Sequence, residues 1–337
     1  VKQQFIYNKK FYLECGAVLP YLEITYYTYG KLNPQKNNVV WIFHALTANA
    51  DAADWWSGLV GPDKYFNPDK YFIVCANILG SCYGTTGPLS NINQTEKYYF
   101  NFPDVTIRDM VNAHKLLKSY LGVDKILFGA GGSMGAYQLM EWMIDEPQLF
   151  NNALLLATSA QESAWGRAIH TAQRMALEAD CTFKQMSDDA GKQGLKAARA
   201  IGMLTYRNYD LFKQQQTDED NNLKKIYRAE SYIRYQGEKL AARFNAHSYY
   251  VLSRAMDSHD IFRGRSDLNK ILKLIQTKNL VIGISSDMLC PVQEQKYLCR
   301  LFPNSTYIEI DSPYGHDGFL IEHEKIQNAL QKVFTNV

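Results

Sequence analysis

Nowhere in the 337 residues does an uninterrupted apolar stretch approach the roughly eighteen needed to cross a bilayer. The first residues, Val1-Lys2-Gln3-Gln4-Phe5, also lack the apolar segment of a secretory signal. The expectation is a cytoplasmic protein with no membrane partner. An excess of one charge is missing too: 36 Lys and Arg stand against 34 Asp and Glu. With no basic run long enough to follow a phosphate backbone, nucleic acid is not expected as a partner and a small molecule fits better. Six cysteines (Cys15, Cys75, Cys82, Cys181, Cys290, Cys299) include no Cys-x-x-Cys pair. This argues against a zinc site and for reduced thiols that fill structure, so no metal is expected. The segment 77–88 carries three glycines but neither a Gly-Lys-Ser/Thr ending nor Gly-x-Gly-x-x-Gly spacing. It therefore reads as a loop at the mouth of a site and not as a phosphate cradle.

What is present is a core-forming composition, 46% hydrophobic and 21% charged, and one stretch around which the rest can be arranged. Lys125-Ile126-Leu127-Phe128-Gly129-Ala130 reads as a buried parallel strand that runs directly into Gly131-x-Ser133-x-Gly135, and residues 136–144 suit a helix. A turn this tight leaves no room for a Cβ at either glycine. It lifts Ser133 Oγ above the sheet, with a helix N-terminus behind it whose N–H groups can hold a developing oxyanion. Ser133 is the candidate nucleophile.

Before the elbow, residues 11–32 suit antiparallel strands at a sheet edge, and Val39-Val40-Trp41-Ile42-Phe43 suits a central strand covered on both faces. The loop after it, His44-Ala45-Leu46-Thr47, should supply an oxyanion donor from the Leu46 N–H, while His44 is read as structural. Trp55-Trp56 is read as packing, residues 71–76 as another buried strand, and residues 104–120 as an amphipathic helix capped by Asp104 or Thr106. After the elbow helix and a strand at 152–158 the pattern changes. Residues 163–179, 190–204, 218–226, 231–245 and 266–276 read as helices with no central strand among them. We expect residues 160–275 to be a helical lid inserted into a core made of 1–159 and 276–337, an α/β fold with a mostly parallel central sheet.

The sheet resumes at 280–287 and 306–311, and each strand ends beside a partner for the serine. Asp287 closes the first and His316 follows the second, giving the order serine, acid, histidine of the α/β-hydrolase arrangement. His316 would take the proton of Ser133, and Asp287 would fix the imidazole tautomer. Asp311 is the rival acid.

Several longer motifs go further. His44-Ala45-Leu46-Thr47, Trp55-Trp56-x-Gly58-Leu59-x-Gly61-Pro62, Gly80-x-Cys82-Tyr83-Gly84-x-Thr86-Gly87-Pro88, Gly131-Gly132-Ser133-Met134-Gly135, Arg243-Phe244-x-Ala246-x-Ser248-Tyr249, Ala255-Met256-Asp257-x-x-Asp260 and Asp311-Ser312-Pro313-Tyr314-Gly315-His316-Asp317 together resemble the homoserine O-acetyltransferase family of α/β-hydrolase-fold enzymes, across almost the whole chain. The resemblance implies ping-pong transfer of acetyl from acetyl-CoA, a co-substrate and not a bound cofactor, through Ser133 to the hydroxyl of L-homoserine in methionine biosynthesis. It implies an oxyanion hole from the Leu46 and Met134 N–H groups, and a clamp on the amino-acid end made by Asp317 and Arg199, with Arg207 as the alternative arginine. It also favours a homodimer through the helical lid. Succinyl-CoA as donor, serine as acceptor, or water in an esterase are the rival chemistries. Ala48, Ala136 and Tyr137 depart from residues common in the family, beside the oxyanion loop and on the elbow helix, where they would change acyl-pocket depth.

Overall fold

The structure, a computed structural model, describes residues 1–93, 95–220 and 222–335. Ten strands are present among them: β1 (Lys2–Tyr7), β2 (Phe11–Tyr12), β3 (Val18–Leu19), β4 (Leu22–Tyr29), β5 (Val39–Phe43), β6 (Phe72–Ala76), β7 (Ile126–Gly132), β8 (Phe150–Leu156), β9 (Lys278–Ile284) and β10 (Ser305–Ile310). Eight form one sheet in the order β1-β4-β6-β5-β7-β8-β9-β10, and β2 and β3 make a separate hairpin. The β1–β4 and β4–β6 pairings are antiparallel, as the edge reading required. From β6 through β10 every pairing is parallel.

Both faces of that parallel portion are covered, which is why β5 is apolar at every position and buried throughout. Successive side chains leave a strand on opposite sides. Val39, Trp41 and Phe43 join the core formed with α2 (Ile107–Tyr120) and α3 (Met134–Asp145), whereas Val40 and Ile42 join the core closed by Trp56, Phe128 and Phe334. Helix α2 starts at a reciprocal cap in which Thr106 accepts from the Asp109 N–H and Asp109 accepts from the Thr106 N–H. Asp104, the other expected cap, instead pairs with Arg254 at 2.8 Å.

A short α1 (Ala52–Trp55) precedes α2. Between β8 and β9 the described residues form six helices and no strand: α4 (Ala164–Glu178), α5 (Lys192–Tyr206), α6 (Tyr209–Gln216), α7 (Arg228–Ala241), α8 (Ala246–Asp257) and α9 (Leu268–Leu274). The expected helix over 218–226, which includes Asn221 outside the described residues, does not form; α6 lies upstream of it. Asp220 Oδ1 takes the Asn222 N–H at 2.9 Å and Asp218 the Arg228 N–H, and such local bonds compete with helix propagation. The helix expected over 231–245 forms as α7 but starts earlier and ends at Ala241, and α8, a helix not expected from the sequence, starts afresh beyond it where Asn245 accepts from the Ser248 N–H. After β9 the described residues form three further α-helices: α10 (Val292–Leu301), α11 (Gly318–Ile321) and α12 (His323–Val333). Among the described residues no helix is long and apolar enough to cross a membrane.

Candidate active site

The elbow between β7 and α3 is a tight turn of the backbone. Ser133 sits at φ 53°, ψ −127°, a conformation that costs a non-glycine residue on the order of 1–3 kcal/mol unless its surroundings enforce it. The two flanking glycines do so. A Cβ on Gly131 would lie 2.5 Å from the Gly135 carbonyl carbon, and one on Gly135 would overlap the Phe43 carbonyl. The strain points Ser133 Oγ at His316.

His316 Nε2 lies 2.9 Å from Ser133 Oγ, and its Nδ1 lies 2.7 Å from Asp287 Oδ2. With Nδ1–H donating to the carboxylate, Nε2 is left as the acceptor for the serine proton. Asp287 is itself fixed by the backbone N–H groups of Leu289 and Cys290, at 2.8 and 2.9 Å on Oδ1. All three residues are at least 93% buried. Burial works against the imidazolium, but the adjacent Asp287 carboxylate outweighs it and raises the His316 pKa above 6.5. Asp311, the rival acid, is exposed and accepts from Ser285 Oγ at 3.0 Å.

The Leu46 N–H, in the loop after β5, and the Met134 N–H, the first of α3, have no acceptor among the described residues. Their loop is locked from below. His44 donates from Nδ1 to the Ala45 carbonyl at 2.9 Å and accepts the Ile78 N–H on Nε2 at 3.1 Å. Full burial holds its pKa down to about 4, so the ring stays neutral and both bonds persist. Gln138 Nε2 bridges the carbonyls of His44 and Met134, each at 3.2 Å, tying the loop after β5 to the first turn of α3.

A cavity of about 400 Å³ opens above the serine, walled by Leu46, Trp55, Arg199, Tyr206, His316 and Asp317 among others. The Arg199 guanidinium stands 5.5 Å from the Tyr206 ring centre, and its buried Nε has no hydrogen-bond partner. Arg207, the alternative, does not border this cavity; its Nη2 lies 3.4 Å from Asp317 Oδ2. Burial raises the Asp317 pKa, against the opposing pull of Arg207 and Arg199. The tryptophan pair divides. Trp56 is fully buried and donates to the Phe319 carbonyl at 3.2 Å, as packing requires, whereas Trp55 faces the cavity. Of the three departures from the family, Ala48 is on the cavity wall. Ala136 and Tyr137 are sealed behind it, with the Tyr137 hydroxyl donating to Glu162 Oε2 at 3.1 Å.

A family model of the alpha/beta hydrolase fold matches residues 38–322. Homoserine O-acetyltransferase of Cyclobacterium marinum is 46% identical over 96% of this chain and 92% of its own length, and that of Nostoc punctiforme is 43% identical over 96% and 93%. The chain belongs to the homoserine O-acetyltransferase family. Among solved structures, the Bacillus anthracis homoserine O-acetyltransferase superposes with a TM-score of 0.90 over 99% of this chain and 97% of its own, at 21% identity. Esterase E22 superposes with a TM-score of 0.86 over 98% and 100%, at 22% identity. Likeness at such identities speaks for the fold alone.

Within the family frame, the sequence reading missed the supports. Gln138 lies one helical turn beyond Met134, a spacing that could have flagged it. Arg243, quoted only as part of a motif, donates to the Thr47 carbonyl at 2.6 Å and to the Tyr83 hydroxyl at 2.7 Å. No local pattern announces a contact across 196 residues. The glycine-rich loop 77–88 meets the site through this Tyr83 contact and does not itself border the cavity.

Proposed function

We propose that the protein transfers an acetyl group from acetyl-CoA to the side-chain hydroxyl of L-homoserine, with Ser133 carrying the group between them. The observation that supports this most is one cavity in which a buried serine–histidine–carboxylate relay meets an arginine with an unsatisfied donor and an aspartate. His316 Nε2 takes the Ser133 proton as Oγ attacks the thioester carbonyl, and the Leu46 and Met134 N–H groups hold the oxyanion. Collapse expels the CoA sulfur, which leaves with the proton from His316. The homoserine hydroxyl then gives its proton to Nε2 and attacks the acetyl carbonyl; Ser133 departs and recovers the proton. The steps balance with acetyl-CoA as co-substrate and no cofactor. Arg199 binds the substrate carboxylate as a fork, and Asp317 its ammonium group.

Residues 160–275 act in this reading as a lid, since α5, α7 and α8 or the turns beside them bring Arg199, Lys239, Arg243 and Met256 over the serine. A covered cavity limits water as an acceptor, which distinguishes transfer from hydrolysis. Exposed Trp165, Met175 and Leu204 on α4 and α5 offer an apolar face for a homodimer through the lid. Methionine biosynthesis in the cytoplasm fits this chemistry. The test is CoA release with acetyl-CoA or succinyl-CoA, each with L-homoserine, L-serine or no acceptor. Release that requires acetyl-CoA and homoserine together supports the proposal. Another pairing changes the substrates, and equal release without acceptor makes the protein a hydrolase.

A further inference from the structure

Beside the relay lies a side chain that the transfer chemistry does not use. Cys290 follows Asp287 by three residues in the turn after β9 and is 5% exposed. Its Sγ, a carboxylate oxygen of Asp287 and a ring nitrogen of His316 all lie within 4.8 Å of one another. Among the described residues no other three histidine, cysteine or acidic side chains converge in this way. We propose that Cys290, Asp287 and His316 form an inhibitory site for a thiophilic divalent cation of the zinc and cadmium class, reached through the active-site cavity.

The donor set selects the ion. One thiolate, one imidazole and one carboxylate suit zinc and its softer relatives, whereas magnesium and calcium require oxygen ligands. Metal–ligand lengths of about 2.0–2.3 Å place tetrahedral ligands about 3.5 Å apart, so the Cys290 sulfur need draw in by little more than about 1 Å, while His316 Nδ1 and the Asp287 oxygen, 2.7 Å apart, open by somewhat less. Leu289 and His316 both border the cavity, which gives a hydrated ion its path. The fourth position is left to water.

Binding is a proton exchange without redox change. The Cys290 S–H bond breaks, a metal–sulfur bond forms and the thiol proton leaves to solvent. His316 Nδ1, the nitrogen now facing Asp287 at 2.7 Å, exchanges its proton for the metal. That proton resides on Nε2 instead, and the Asp287 oxygen that had accepted it becomes a ligand. One proton is released in total. The consequence for the relay is direct: an Nε2 that already carries hydrogen cannot accept the proton of Ser133 Oγ, 2.9 Å away. Attack stops although the serine and its oxyanion donors are untouched.

The experiment titrates Cd²⁺ against the hydrolysis of an activated acetyl ester, with Mg²⁺ as the hard-ion control, for the wild type, Cys290→Ser and Cys290→Ala. Each protein is referred to its own metal-free rate. Cd²⁺ should inhibit the wild type reversibly on chelation, Mg²⁺ should not, and the Cys290 variants should need at least about tenfold more Cd²⁺, since even the loss of an outer partner of a ligand costs about 10–100-fold. Binding is read separately on the Ser133→Ala protein, which needs no turnover, from thiolate-to-cadmium ultraviolet absorption and proton release in weak buffer. Adding His316→Ala to that protein should weaken the signal assigned to this site by a similar factor, over the background of the five other thiols. Equal inhibition of wild type and Cys290 variants, equal effect of Mg²⁺, or Ser133→Ala binding indifferent to His316→Ala would each overturn the proposal.

Discussion

Arg243, in the turn between α7 and α8, donates to the Thr47 carbonyl at 2.6 Å, one residue beyond Leu46. The inserted helices thereby hold the loop that carries the Leu46 N–H, the proposed oxyanion donor. Cutting this tie by Arg243→Ala should lower kcat by about ten- to a hundredfold, somewhat less than deletion of a donor itself costs. Steady-state kinetics on a small acetyl ester isolates the effect, and an unchanged kcat would refute the role.

Ser133→Ala should reduce acyl transfer by at least about a thousandfold, because loss of the nucleophile removes the covalent route. Mass spectrometry after brief exposure to acetyl-CoA should show an added acetyl on the wild type and none on the variant. Acetylation of the variant would move the nucleophile elsewhere.

The relay needs a neutral His316, whose pKa the Asp287 carboxylate raises above 6.5 despite burial. Activity should therefore rise with pH through a midpoint above that value in the free enzyme. Asp287→Asn removes the raising charge, so the acid limb should move to lower pH while kcat falls steeply. The pH profile of kcat/KM for both proteins checks the sign.

Arg199→Ala should raise KM for the amino-acid acceptor by about ten- to a hundredfold, the worth of a charge-assisted pair. Acetylation of Ser133 by acetyl-CoA should persist. Arg207→Ala acts through Asp317, so it should disturb the ammonium end of the clamp more than the carboxylate end. Acceptor analogues lacking one or other group separate the two.

Gly135→Ala forces a Cβ into the Phe43 carbonyl, backbone that cannot swing aside. A loss of about 1–3 kcal/mol or more in thermal or denaturant unfolding is expected, with the oxyanion loop displaced as well. Wild-type stability in this variant would contradict the packing described.

The parts of this site written in short runs were legible before the fold was known. Gly131-x-Ser133-x-Gly135 carries its own backbone geometry, and Asp287 and His316 each lie in the loop that follows a late strand of the sheet, on the side where the elbow presents the serine. The family resemblance is borne out by the relatives that share 40–46% of the sequence over nearly its whole length. The support layer was not legible, because it depends on contacts between distant segments: His44 with Ile78, Gln138 with the carbonyls of His44 and Met134, and Arg243 with Thr47. Helix boundaries between β8 and β9 shifted for a related reason. Amphipathic periodicity does not show where a helix stops: α7 ends at Ala241, short of the expected 245, and α8 opens only where the Asn245 side chain accepts from the Ser248 N–H.

The six helices between β8 and β9 leave the sheet at Leu156 and return at Lys278 on the neighbouring strand, and those two strands pair as if nothing intervened. Closing a longer loop costs little, about 0.6 kcal/mol for each doubling of length. The sheet with its serine, acid and histidine thus behaves as a socket, and the helical segment as an exchangeable fitting that carries Arg199 to the cavity. Descent with new helices between the same two strands could redirect the acyl group to another acceptor, provided the new segment also supplies something to hold the carbonyl of Thr47.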